Sequence, residues 1–76
     1  MTLDQLPINL PAAVLDIHPV NTVEAQRLIS MGFTVRSKIT VIRKIHRGHM
    51  IHCRVGSVEF AIRSATARLI TVKIDE

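Results

Sequence analysis

A chain of 76 residues has room for one small hydrophobic core and no second one, so a single domain over residues 1–76 is expected. Apolar residues make up 47% of it, yet there is no Trp or Tyr and only Phe33 and Phe60 carry aromatic rings, which excludes a base-stacking platform and an aromatic-lined ligand groove. The formal net charge of +4 favours anionic neighbours, whether nucleic acid, an acidic protein face or a membrane surface, without choosing among them.

Thr2 and Gln5 have capping-box spacing ahead of Leu6, which predicts one turn of helix before Pro7 and Pro11. The run Ala12 to His18 reads as a first strand stopped by Pro19. Asn21 followed by Glu24 is a helix-start signal, and Val23, Ala25, Leu28, Ile29 and Met31 supply the apolar face of a helix that Gly32 ends in the left-handed conformation. After Gly32 the period becomes two. Ile39 and Val41 share a face in 38–43; Ile51, Cys53 and Val55 do so in 51–55, and Val58, Phe60 and Ile62, then Ile70, Val72 and Ile74, continue the alternation. Arg47-Gly48-His49 and Gly56-Ser57 are the hairpin turns, and Ser64 to Arg68 fits one turn of 3₁₀ helix. Ile and Val outnumber Leu, as suits strands. The predicted fold is mostly β: a small SH3-like five-stranded barrel, closed to limit open edges, with one α-helix between the first two strands.

Cys53 stands alone, which rules out an internal disulfide and points to a reducing compartment. The first residues carry no signal-peptide pattern, and no stretch has the length and apolarity of a membrane span. A cytoplasmic protein is expected. Catalysis is not, because the chain offers no spacing typical of a Ser-His-Asp arrangement, no Gly-rich phosphate loop and no carboxylate pair.

Three segments carry a resemblance. They are Arg27-Leu28-Ile29-Ser30-Met31-Gly32-Phe33, then Gly56-Ser57-Val58-Glu59-Phe60-Ala61-Ile62-Arg63, then Ala67-Arg68-Leu69-Ile70-Thr71-Val72. In this order and spacing they resemble the FeoA family, ferrous iron transport protein A, over essentially the whole chain. The resemblance implies an SH3-like barrel in the bacterial cytoplasm that binds the cytosolic, GTP-binding part of the FeoB membrane transporter, lies at the inner membrane through that partner, and supports ferrous iron uptake. Two loops depart from the family pattern. Val35-Arg36 stands where Pro-Gly is usual, so the turn needs another geometry or Arg36 must tolerate strain, and Gly48-His49-Met50 replaces Gly-Asp-Pro.

Loops of a small barrel are where a partner is read, which makes Met31, Phe33, Val35, Arg36, Arg47, His49 and Met50 the candidate contact residues. Met50 should lie on the strand face opposite Ile51. His46, His49, His52 and Cys53 invite a metal reading, but strand alternation points His49 and His52 to opposite faces and turns Cys53 to the core, so neither metal nor cofactor is expected. The basic stretch Arg43 to Arg54 is the basis for the alternative function, a barrel that binds RNA or DNA. The missing aromatics weigh against it.

Overall fold

The computed structural model describes residues 1–18 and 22–74. A 3₁₀ turn at Leu3–Gln5 opens the chain, and the Thr2 N–H donates to Gln5 Oε1 at 3.1 Å, one half of the predicted capping box. Five strands follow: β1 (Ala12–Ile17), β2 (Lys38–Ile45), β3 (Met50–Val55), β4 (Val58–Arg63) and β5 (Ile70–Ile74). The helix α1 (Thr22–Ser30) separates β1 from β2, and a single helical turn, α2 (Ser64–Ala67), separates β4 from β5. Pro19 and Asn21, the predicted stop and cap, lie outside the described residues. The predicted 3₁₀ turn at 64–68 is α-helical instead: the Arg68 N–H reaches back to the Ser64 carbonyl at 3.1 Å, an i to i−4 bond.

All five strands form one antiparallel sheet in the order β4-β3-β2-β1-β5. The pairing of β1 with β5 joins residues from opposite ends of the sequence, from Ala12 against Ile74 to Ile17 against Ile70. Outside β5, Thr2 bridges to Thr71 and the Val72 N–H donates to the Met1 carbonyl at 2.8 Å. Two register shifts bend the sheet, between Val14 and Asp16 in β1 and between Val41 and Arg43 in β2. The second explains why β2 runs to Ile45, past the predicted limit at Arg43. The extra residue breaks the alternation, leaving Arg43 and Lys44 both exposed where a regular strand would turn one inward.

The inward faces make one core of Leu3, Leu6, Ala12, Val14, Leu28, Phe33, Ile39, Val41, Ile51, Cys53, Ile62, Ala67, Ile70 and Val72. The strands β2 to β5 contribute their predicted alternating sets, except that Val58 is exposed and Val55, Phe60 and Ile74 pack only in part. The helix is less amphipathic than expected. Leu28 is buried, but Val23 and Ile29 are exposed, so α1 rests on the barrel along a narrow line.

Two turns show how the backbone is steered. Gly56 has φ +61° at the first position of a two-residue hairpin, and Ser57 stays at negative φ, the type II′ arrangement that matches strand twist and requires Gly there. Thr34 to Ser37 forms a turn with the Ser37 N–H on the Thr34 carbonyl at 3.0 Å, and Arg36, at φ +76°, holds the third position. That is the type II pattern, which favours Gly at this point. The chain thus keeps the turn geometry expected of Pro-Gly and places the strain on Arg36. Side chains stabilise the turn: Ser37 Oγ donates to the Gly32 carbonyl at 3.0 Å and lies 2.7 Å from Thr34 Oγ1. Replacing Arg36 by Gly should therefore raise stability by about 1 kcal/mol, a gain of several degrees in Tm. A thermal melt that showed no increase would mean the positive φ carries no strain.

Candidate docking groove

The groove begins with the way α1 ends. Gly32, at φ +97°, donates its N–H to the Ile29 carbonyl at 2.9 Å, and the Phe33 N–H reaches the Leu28 carbonyl at 3.0 Å. This pair of bonds is a Schellman motif, which brings the residue after Gly32 back against the residue four before it. Leu28 and Phe33 are both buried as a result. Phe33 packs edge to face on Phe60, with ring centroids 5.0 Å apart and an interplanar angle of 77°. Phe33 is therefore not a contact residue for a partner: it is 0% exposed, and the helix cap that turns the chain also drives its ring into the core.

Met31 lies on the other side of that cap, half-buried against the core. It lines a concavity of about 490 Å³ together with Val23, Arg27 and Leu28 of α1, Met50 of β3, Ala61, Ile62 and Arg63 of β4, and Thr66 of α2. The register of the β3-β4 hairpin sets Met50 opposite Arg63 and Ile51 opposite Ile62, so Met50 and Arg63 flank the groove while Ile51 points inward. The backbone fixes this corner as well, since the Ser64 N–H donates to the His49 carbonyl at 2.8 Å.

The structure thus brings two of the seven candidate residues, Met31 and Met50, into one groove, with His49 immediately beside Met50. It separates the others. Val35 and Arg36 occupy the turn before β2, whereas Arg47 and His49 occupy the loop after it, and eight extended residues, roughly 26 Å, lie between. Val35 is 55% exposed and Arg36 and Arg47 are exposed. The hairpin loop is not a simple turn centred on Gly48: His46, Arg47 and Gly48 form a 3₁₀-like turn in which all three have positive φ.

The remaining groove residues were not singled out in the sequence as contact residues. Arg27, Ala61, Arg63 and Thr66 come from three elements that meet only in the folded chain. One signal was available for Arg63, since it pairs with Met50 once the 56–57 turn fixes the hairpin register.

The His-rich hairpin does not assemble a ligand set. Cys53 is fully buried between Val41 and Phe60 in the sheet, and burial pushes its thiol up to about 12. Among the described residues no three His, Cys, Asp or Glu side chains come together in a way that could hold a metal ion. No helix among them is long and apolar enough to cross a membrane.

A curled five-stranded antiparallel sheet with a helix between its first two strands defines a small SH3-like barrel of the kind that appears alone or as a module. The sequence matches the FeoA domain family over residues 1–74, and the chain belongs to that family. Its fold is similar to the solution structure of iron(II) transport protein A from Clostridium thermocellum, at 26% identity and a TM-score of 0.89. That match covers 97% of this chain and 45% of that one, so the chain spans less than half the length of this relative. It is also similar to the zinc-complexed FeoA of Stenotrophomonas maltophilia, described as a procaryotic SH3 domain protein, at 28% identity and a TM-score of 0.83, over 96% of this chain and 89% of that one. A manganese-dependent transcriptional repressor, 17% identical, shares the fold over 97% of this chain and 36% of its own length, with a TM-score of 0.88. No curated protein sequence matches. Of these relatives, the first is named for iron(II) transport.

Proposed function

We propose that the protein is a non-enzymatic, cytoplasmic accessory of ferrous iron uptake that docks on the cytosolic part of a FeoB-type membrane transporter, using the groove between α1 and the β3-β4 hairpin. The observation that carries this reading is the match to the FeoA domain over residues 1–74. The groove supports it as the place of contact, because it is concave, joins apolar and basic residues, and contains two Met side chains that can adapt to another surface. The adjoining hairpin, with exposed Arg47 and His49, extends that face.

Titrating the isotope-labelled protein with the purified cytosolic region of the transporter tests the proposal. Amide shifts are expected at Met31, Met50, Ile62 and Arg63, and not at the Thr34 to Ser37 turn. If no resonance moved at about 1 mM partner, where even a complex worth only about 4 kcal/mol would be half formed, the docking reading would be abandoned.

A further inference from the structure

We infer that the groove receives an acidic amphipathic segment of the partner, with apolar side chains seated between Met31 and Met50 and carboxylates on Arg27 and Arg63; this rests on the docking reading above. The volume of about 490 Å³ lies within the roughly 300–1,000 Å³ of sites that enclose several side chains or a small ligand. Leu28 and Ile62 belong to the buried core and form an apolar floor, while Met31 is half-buried against it.

Among the described residues the charge at the groove is of one sign: two arginines line it and no Asp or Glu does. Of the other arginines, two are matched within the chain, Arg54 at 3.5 Å from Glu59 and Arg68 at 3.7 Å from Asp4, while Arg36, Arg43 and Arg47 lie in β2 and its two flanking loops and do not line the groove. Among the described residues no carboxylate comes within ion-pair reach of Arg27 or Arg63, and both are exposed. Two unmatched guanidiniums beside an apolar floor suit a ligand with carboxylates next to its apolar anchors, since each guanidinium can grip a carboxylate with two parallel hydrogen bonds. An amphipathic helix meets this requirement by presenting i, i+3 and i+4 apolar residues with acidic neighbours.

A second copy of the chain is a poor occupant. Two molecules of formal charge +4 repel, and among the described side chains the carboxylates of Asp4, Asp16 and Glu59 already pair with Arg68, His18 and Arg54 of their own chain.

The test uses the full chain, the purified cytosolic region of the FeoB-type transporter and synthetic peptides that tile that region. The peptides that bind should be net acidic with helically spaced apolar residues. The double variant Arg27→Glu/Arg63→Glu should bind about tenfold more weakly or worse, with an otherwise unchanged amide spectrum to show that it is folded. Arg27→Gln/Arg63→Gln should show a smaller loss and should remove most of the salt dependence seen with the parent chain. If the double variants bound as tightly as the parent, or the binding peptides were basic, the acidic-segment inference would fail while docking stood. If the parent chain bound neither the region nor any peptide, the docking reading would fall and the inference with it.

Discussion

Replacing Phe33 by Ala is expected to cost about 3–5 kcal/mol, the usual range for deleting a buried aromatic ring. A domain of this length has roughly 4–11 kcal/mol in total, so this one change should remove between about a quarter and all of the stability. Three contributions act together. The ring loses its burial, a cavity opens beneath the end of α1, and Phe60 loses an edge-to-face partner worth about 0.5–1.5 kcal/mol beyond the area it covers. The Schellman motif suffers too, because its closing hydrophobic contact is between Leu28 and Phe33. Urea titration followed by far-UV circular dichroism would measure the loss. Val35→Ser, two residues away on the exposed turn, should change stability by less than about 0.5 kcal/mol. A Phe33→Ala protein that unfolded within about 1 kcal/mol of the parent would show that the ring is not packed as described. A binding defect in this variant would report a damaged barrel rather than a lost contact.

The second large effect is alkaline. With its thiol pushed from 9.0 up to about 12 by burial, Cys53 stays protonated in the folded chain at a pH where the unfolded chain has already lost that proton. The folded state then binds more protons than the unfolded one, and the sign of the linkage makes stability fall as pH rises. Below pH 9 the thiol contributes no slope. Between 9 and 12 it should remove about 1.4 kcal/mol per pH unit, about 4 kcal/mol in all, and above 12 the slope should vanish. The thiol's share is the difference between the parent and Cys53→Ala. Parallel pH profiles for the two proteins would contradict it. The same shift lowers the thiolate fraction near neutral pH by about a thousandfold, so native Cys53 should react with a thiol reagent mainly through opening of the barrel.

The alternation of Ile39, Val41, Ile51, Cys53, Ile62, Ile70 and Val72 was legible in the sequence because a strand's side-chain period is two and one face of this sheet is buried. Gly32 and Gly56 were legible for a related reason, since each stands where the backbone needs positive φ. Phe33 was misjudged because a hydrophobic residue after a helix-ending Gly can either face solvent or fold back, and only the Leu28 contact decides. Val23 and Ile29 fit a helical apolar stripe by spacing. The barrel beneath α1 is too narrow to cover so wide a stripe, which no local pattern records. The β2 bulge was hidden because Arg43 and Lys44 read as the end of a strand. The groove itself was half legible. Met31 and Met50 stood out as adaptable side chains at element ends, but Arg27 and Arg63 are 36 positions apart and become neighbours of one cavity only through the packing of α1 against the β3-β4 hairpin.

The first two residues of the chain bear on how other molecules can approach. By bridging Thr2 to Thr71 and accepting the Val72 N–H on the Met1 carbonyl, they occupy main-chain groups on the outer edge of β5. A foreign strand cannot extend the sheet at those positions without first peeling this segment away. The barrel carries a built-in guard against edge-to-edge growth there, and a bulky fusion placed on Met1 would press on that guard rather than hang free of the domain.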